Sequence, residues 1–468
     1  MSETGLKLAQ DKMAAAGIQQ QAIDVFTHYY RQLEEGVSGF IPEDSIEPFI
    51  DPSMLSDTAI SEEDAGAAIK QTVIIKLNGG LGTSMGMEKA KSLLPIRKGK
   101  SFLDIIVDQV RAARAAYGIQ LPLLLMNSFR TQEETLAALA AYDDLGVAGL
   151  DLAFLQNQEP KLRADDLTPV TWPADPSLEW CPPGHGDLYT ALTTSGMLDR
   201  LLSLGYRYAS VSNSDNLGAA PDVTIAGWFA STGAPYAAEI CRRTAADRKG
   251  GHLAIRKSDG RLILRDTAQT PKDEMHYFTD EFRHPFFHTN NLWFDLEALA
   301  RTLRERKSVL GLPLIKNEKT VDPADSSSPK VIQIETAMGA AIEVFEGATA
   351  IGVGRERFLP VKTTSDLLVL RSDAYELEAD GRLTKVADPT PVADLDSDYY
   401  KLIGDFDQRF PAGAPSLKEA RSIEINGDWT FEAGVHVIGE VTLEDPGAPQ
   451  IIAAGSVLED QAASATGS

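Results

Sequence analysis

The stretch "VIIKLNGGLGTSMGMEKAKS", Val73 to Ser92, sets a short apolar run against four glycines, Gly79, Gly80, Gly82 and Gly86, with two lysines following. The β-branched and apolar "VIIKL" predicts a strand. Glycines placed directly after a strand let the backbone turn sharply and bring its N–H groups close to a bound group, with no Cβ in the way. That is phosphate or nucleotide geometry, although the spacing is neither a Walker A loop nor the dinucleotide fingerprint. From local sequence alone, a flexible surface loop with solvated lysines is the alternative. Lys91, nine residues past Gly82, strengthens the phosphate reading because it can fold back and neutralise charge.

Outward from the loop, "SFLDIIVDQVRAARAAY" (Ser101 to Tyr117) predicts a helix, with Ser101 and Asp104 as a capping box and Phe102, Ile105, Ile106, Val110 and Ala113 facing inward. "LPLLLM" (Leu121 to Met126) and "YRYASVS" (Tyr206 to Ser212) predict further strands. Strand, helix, strand in that order implies a parallel sheet with a right-handed crossover. Upstream, Ile23, Phe26, Tyr30 and Leu33 recur at helical spacing, so residues 1–70 are expected to form a helical segment, and 71–370 the main α/β domain. The polar loop "DPADSSSPK" (Asp322 to Lys330) interrupts that domain. A boundary is expected in the Asp-, Ala- and Pro-rich stretch from Ser372 to Asp398, written as a linker over 371–400. In 401–468, Phe431, Val437 and Leu443 are six apart, as are Trp429, Val435 and Val441, which suits a parallel β-helix or, alternatively, a pair of hairpins. The final "QAASATGS" is expected to fray.

The chain has 468 residues and 43% hydrophobic content, enough for two or three globular domains. No apolar run approaches the roughly 18 residues that span a bilayer, and the N-terminus lacks the apolar centre of a signal peptide, so a cytoplasmic protein is expected. Cys181 and Cys241 are the only cysteines, which excludes a disulfide framework and disfavours structural zinc. A net charge of −24, from 44 basic and 68 acidic residues, repels a phosphate backbone, so neither nucleic acid nor an anionic membrane is an expected partner. Small phosphorylated ligands stay possible, and a lysine cluster beside a glycine loop stands out against so acidic a background.

"LNGGLGTSMG" with Lys91 and Ser92 resembles the nucleotide-binding loop of the eukaryotic-type UTP:glucose-1-phosphate uridylyltransferases, or UDP-glucose pyrophosphorylases. Six further blocks are similar and stand in family order: "LLLMNSF", "PPGHGDLY", "VSNSDNLGA", "TNNLW", "IQIETAMGAAI" and "RFLPVKTTSDLL". The resemblance implies a nucleotidyltransferase fold of the glycosyltransferase-A type, a mixed sheet between helices, with a C-terminal left-handed β-helix. It implies joining UTP and glucose 1-phosphate into UDP-glucose and pyrophosphate, with Mg2+ required and no covalent enzyme intermediate. Assembly into homo-oligomers through the C-terminal region is known in similar chains and is open here.

By the same resemblance, Leu77, Asn78, Gly79 and Gly80 match the loop that holds uracil and nucleotide, and Lys91 the lysine on the UTP phosphates. Gln156 in "FLQNQEP" matches the uracil-reading glutamine, whose amide donates and accepts at once. Gly184 and His185 match a segment against uridine and sugar phosphate; by itself His185 would more often be a structural histidine. Asn213 and Asp215 follow a predicted strand, where open α/β sheets place ligands. Asp215 matches the Mg2+-holding aspartate, although an Asp after a strand, taken alone, is more often a turn or helix cap. Asn290 or Asn291 is expected on sugar hydroxyls, and Lys362 on the sugar 1-phosphate, where the plain alternative is a solvated lysine. Two departures stand out. Asp266 in "RDTAQ" replaces the family's usual glutamate, and "MEKAKS" lacks the glycine and proline usual before the lysine. A pyrophosphorylase for another UDP-sugar, such as a UDP-N-acetylhexosamine or broad-specificity enzyme, is the nearest alternative. A UDP-sugar-dependent glycosyltransferase and a non-catalytic nucleotide-binding scaffold are more distant ones.

Overall fold

The computed structural model describes residues 3–37, 39–244 and 247–460; the "QAASATGS" tail lies outside them. Its centre is a mixed sheet built from β1 (Thr72–Asn78), β2 (Leu123–Asn127), β3 (Ala153–Leu155), β4 (Tyr208–Asn213), β5 (Tyr236–Arg242), β6 (Phe286–Asp295) and β7 (Thr349–Gly352). The spatial order is Ser53–Met54, β7, β5, β6, β4, β1, β2, β3. β1 is buried along its whole length, as a strand covered on both faces must be. It pairs in parallel with β2 through Ile74 opposite Leu123, and with β4 through Val73 opposite Ala209.

The crossover between β1 and β2 is α1 (Phe102–Tyr117), capped as its sequence predicts. The Ser101 hydroxyl accepts from the Asp104 amide, and Asp104 accepts from the Ser101 amide. Such caps contribute about 1 kcal/mol. Phe102, Ile105, Ile106 and Val110 of α1 are buried under the sheet, and Gly118 ends the helix with φ 61°.

β6 runs antiparallel to both β4 and β5. Its ladder with β5 breaks between Ala238 and Ile240, opposite Asn290, which sits at φ 60°. The bulge lets Thr289–Asn291 oppose the single residue Glu239 and re-aims their side chains. Glu239, fully buried, accepts from Arg357 Nε at 3.0 Å and Nη2 at 2.7 Å, from Trp293 Nε1 at 3.0 Å and from Asn291 Nδ2 at 3.1 Å. Burial pushes this carboxyl up, and Arg357 outweighs it, holding the group below the ordinary value.

The N-terminal helices Glu3–Ala15 and Gln20–Glu34 pack together through Met13, Ile23, Phe26 and Tyr30, and onto Leu162 and Ile334. In the C-terminal region Val392–Leu395, Ser416–Ile425, His436–Leu443 and Val457–Glu459 pair in parallel, and so do Trp429–Phe431 and Gln450–Ile452. Two hairpins would pair antiparallel. Phe431, Val435, Val437 and Val441, all from the six-residue pattern, are buried in the same apolar cluster as α1. Between these parts, the stretch from Ser372 to Asp398 carries strands Tyr375–Leu377, Leu383–Lys385 and Val392–Leu395, with Ala374, Leu377, Leu383 and Leu395 buried. Both cysteines are free and buried. Among the described residues no helix is long and apolar enough to cross a membrane.

Removing one partner of a buried ion pair strands the other charge. Glu239→Gln is therefore expected to cost about 3–5 kcal/mol, read as a lower urea midpoint with an unchanged denaturant slope.

Candidate active site

β1 and β4 run parallel and in register, with Leu77 opposite Asn213, so both release their following loops at the same end of the sheet. The glycine loop leaves β1, and its turns at Gly82 (φ 66°) and Gly86 (φ 70°) use the left-handed backbone that glycine adopts without strain. They return the chain so that the Lys91 amide donates to Gly80 O at 3.1 Å. The Lys91 ammonium then lies 2.6 Å from Asp215 Oδ2 and also donates to the Val361 carbonyl. One lysine thus joins the glycine loop, the turn after β4 and the segment before Lys362.

Two clefts open on either side of this junction. The first, of about 450 Å3, is lined by Leu77, Gly79, Gly80, Lys91, Gln156, Gly184, His185, Asn213 and Asp215. The second, of about 410 Å3, is lined by Asn213, Asp215, Asp266, His288, Asn290 and Lys362, together with Lys249, Gly250 and Gly251. Asn213 and Asp215 belong to both walls.

In the first cleft, Gln156 Nε2 donates to Gly184 O at 2.6 Å, and Asn157 binds Asp187 through its amide and its side chain at 2.6 and 2.9 Å. These bonds fasten the glutamine segment to "PPGHGD". A Cβ on Gly79 would come within 3.0 Å of Gln156 Oε1. Gly184 is required twice over: its φ is 76°, and a Cβ there would lie 2.6 Å from Thr336 O. His185 Nδ1 accepts from the Met338 amide at 3.0 Å, so the proton sits on Nε2. Burial lowers its pKa, keeping the ring a neutral donor.

In the second cleft, the Asp266 carboxylate caps Thr267–Gln269 through Oδ1, accepting from the Thr267 amide at 2.6 Å. The Lys362 ammonium lies 6.0 Å from the Phe358 ring, and among the described residues it has no carboxylate partner. His288 Nδ1 accepts from the Asn290 amide at 2.9 Å, and its buried Nε2 has no partner among the described residues.

Two sequence-predicted residues lie behind the clefts. Asn78 is buried, donating to Asn127 Oδ1 at 2.8 Å and Thr135 Oγ1 at 2.9 Å. Asn291 donates to Glu239 and to Arg357 O, so of the two adjacent asparagines it is Asn290 that faces the cleft. Both buried asparagines spend their side-chain amides on bonds within the protein.

The sequence model of the UTP–glucose-1-phosphate uridylyltransferase family matches residues 23–437. The chain belongs to this family. A probable UTP–glucose-1-phosphate uridylyltransferase of Schizosaccharomyces pombe is 35% identical over 460 residues, 96% of this chain and 89% of that protein. The uridylyltransferase of Hordeum vulgare is 39% identical over 402 residues, 84% of this chain and 82% of that one. Among solved structures, a variant of Leishmania major UDP-glucose pyrophosphorylase in complex with UDP-glucose superposes with a TM-score of 0.92 at 41% identity, covering 98% of this chain and 99% of that one. A Trypanosoma brucei structure gives 0.90 at 42% identity, with 97% and 98% covered.

In this uridylyltransferase-family chain, sequence reasoning passed over Lys249, Gly250 and Gly251, which line the second cleft. Their signal was present as a lysine followed by two glycines just before the strand His252–Arg256, whereas Gly79 and Gly80 follow a strand. Asn216 was also missed. It binds Asn291 Oδ1 at 3.0 Å and Arg357 O at 3.1 Å, and accepts from the Leu359 amide at 2.8 Å, locking the turn after β4 to the segment that leads to Lys362.

Burial lowers the His288 pKa to about 4. A depressed folded-state value contributes stability above the unfolded pKa of about 6.5, and this is lost as pH falls towards 4, amounting to about 3 kcal/mol. His288→Asn, which takes up no such proton, is expected to flatten the stability profile over that window by this amount. Equal slopes for the two proteins in pH-resolved denaturation would show that His288 titrates normally.

Proposed function

We propose that this chain joins UTP and glucose 1-phosphate, releasing UDP-glucose and pyrophosphate. The observation that carries the reading is the shared wall: Asn213 and Asp215 border both clefts, with Lys91 in one and Lys362 in the other. UTP occupies the glycine-loop cleft, with uridine against Leu77, Gly79, Gly80, Gln156, Gly184 and His185. Glucose 1-phosphate occupies the second cleft, its hydroxyls on Asp266 and Asn290 and its phosphate on Lys362. Asn78 and Asn291 act through the backbone they tie down. The Leishmania major relative is in complex with UDP-glucose, which supports UDP-glucose as the product.

The reaction is in-line. An oxygen of the sugar phosphate forms a bond to the α-phosphorus of UTP as the bond from that phosphorus to the bridging oxygen breaks, and pyrophosphate leaves with the electron pair. A phosphate monoester is already ionised, so no side chain has to remove a proton, and positioning and charge neutralisation supply the catalysis. Lys362 neutralises the nucleophile so that two anions can approach. Lys91 stabilises charge on the departing pyrophosphate by exchanging Asp215 for a phosphate oxygen. His185 donates from Nε2.

A divalent cation fits beside Asp215. Its Oδ1 is buried and without a partner, and among the described residues no cluster of three acidic, histidine or cysteine side chains offers a closed cage. Mg2+ characteristically takes one or two carboxylates and completes its shell with phosphate oxygens and water. Asp215 would hold the cation, which would supply positive charge to offset that of the phosphates.

The proposal extends to the fold and the cell. We assign the catalytic region (71–370) to the glycosyltransferase-A type, with 1–70 as a helical segment and 371–400 leading into the C-terminal domain. The C-terminal strands are assigned to a left-handed parallel β-helix, supported by parallel pairings such as His436 with Val457. Self-association through that region is supported by the exposed Ile451 and Val457. A cytoplasmic location belongs to the same proposal.

The test is pyrophosphate release from UTP and Mg2+ with a panel of sugar 1-phosphates. Glucose 1-phosphate is expected to be preferred. Lys91→Ala is expected to lower kcat by about 10²–10³-fold, and Lys362→Ala to lower kcat/KM for the sugar phosphate by about 10²-fold. No pyrophosphate from any sugar would reject the reaction, and an N-acetylated substrate would move it to another UDP-sugar.

A further inference from the structure

One residue of β1 is not accounted for by its place in the core. Val73, Ile75 and Leu77 face one apolar cluster and Ile74 the other; by alternation Lys76 shares the face of Ile74. It is fully buried. Its ammonium donates to the Ser212 hydroxyl and to the Ala219 carbonyl, each at 2.7 Å, and among the described residues no carboxylate accepts from it. An ammonium buried against neutral acceptors carries a large desolvation cost, and a methionine would fill the space without it. Burial pushes the Lys76 pKa down to about 7, Arg357 acting the same way and Glu239 and Asp215 opposing.

The two acceptors explain the placement. Ser212 is in β4, directly opposite Lys76 in the parallel register. Ala219 closes the turn that follows. Between them lie Asn213 and Asp215, the wall common to both clefts. The rest of the turn is already held. The Ser214 amide donates to Leu77 O at 3.0 Å, Asn216 binds Asn291 and Arg357 O, and a Cβ on Gly218 would lie 2.4 Å from Glu356 O. The Lys76 side chain touches both ends. It lines neither cleft.

We propose that Lys76 is a positioning residue for nucleotidyl transfer: it staples Ser212 to Ala219 and thereby holds the turn bearing Asn213 and Asp215 in the geometry that both substrates meet. This rests on the reaction put forward above. The staple itself is a property of the free protein.

The deciding variant is Lys76→Met, which keeps the volume and removes the donors. Its thermal midpoint is expected at or above that of the unchanged protein, because a buried charge is gone. Amide exchange over 213–219 is expected to accelerate by about ten-fold or more, and kcat/KM to fall by about 10–100-fold in fully folded protein. A residue serving only the core would lose stability and activity together. Ser212→Ala, which removes one acceptor and leaves Lys76, is expected to speed exchange in the same turn and gives the answer even if the methionine variant fails to fold. Unchanged turn exchange in both variants would overturn the staple. Wild-type kcat/KM in folded Lys76→Met, or a loss of activity no larger than the loss of folded protein, would overturn the positioning role. If the unchanged protein releases no pyrophosphate from any sugar phosphate, the reaction fails, while the exchange measurement still decides the staple.

Discussion

Lys91 and Asp215 lie 124 residues apart in sequence and 2.6 Å apart in space, and the organisation of both clefts follows from that contact. The glycine loop has few side chains with which to define its own path. What fixes it is the lysine at its end, anchored to a carboxylate on the neighbouring strand's loop and to the carbonyl of Val361. The contact also solves an electrostatic problem. A lysine in a largely buried cleft would otherwise be desolvated and unpaired, at a cost in stability. Asp215 supplies the partner until, in the proposed reaction, phosphate oxygens replace it, so one charge-assisted bond is exchanged for another.

Beneath this junction lies a layer of buried polar groups that the clefts do not expose. The bulge at Asn290 turns Asn291 inward to Glu239, Glu239 holds Arg357 in a two-pronged contact, and the Arg357 carbonyl accepts from both Asn216 and Asn291. Asn216 is next to Asp215, and Arg357 is five residues from Lys362. A rigid polar network therefore sets the distance between the aspartate turn and the segment carrying the second lysine. Such networks are stable only when nearly every member is satisfied, which makes this layer intolerant of single substitutions while the exposed cleft residues can change with smaller effects on folding.

The parts of this arrangement legible in sequence are those with local physical signatures. The β1–α1–β2 unit announces itself through a β-branched run, a glycine turn, a serine–aspartate capping box and an amphipathic helix, and all four appear in the structure. The six-residue pattern around Phe431 and Val437 marks inward positions of strands that pair in parallel. Less legible were features decided by distant contacts. Asn290 and Asn291 are indistinguishable in sequence, and only the bulge against β5 separates the one in the cleft from the one in the core. Asn78, next to the glycines, is buried and bonded to Asn127 and Thr135, partners far along the chain that its local sequence does not announce. Lys76, taken in sequence as part of the strand "VIIKL", shows its placement only once Ser212 and Ala219 are seen beside it. The stretch from Ser372 to Asp398 has a loop's composition, yet Leu377, Leu383 and Leu395 bury it against the core, because a few apolar residues suffice where a large surface is already waiting for cover.

The central claim is a single displacement at phosphorus, with the protein positioning charge and forming no bond to the nucleotide. Its most direct test is the stereochemical course with UTP made chiral at the α-phosphorus by one sulfur substitution. Inversion is expected, the outcome of one in-line attack by the sugar phosphate. Net retention would mean two displacements and a covalent nucleotidyl intermediate on a side chain, and would contradict it.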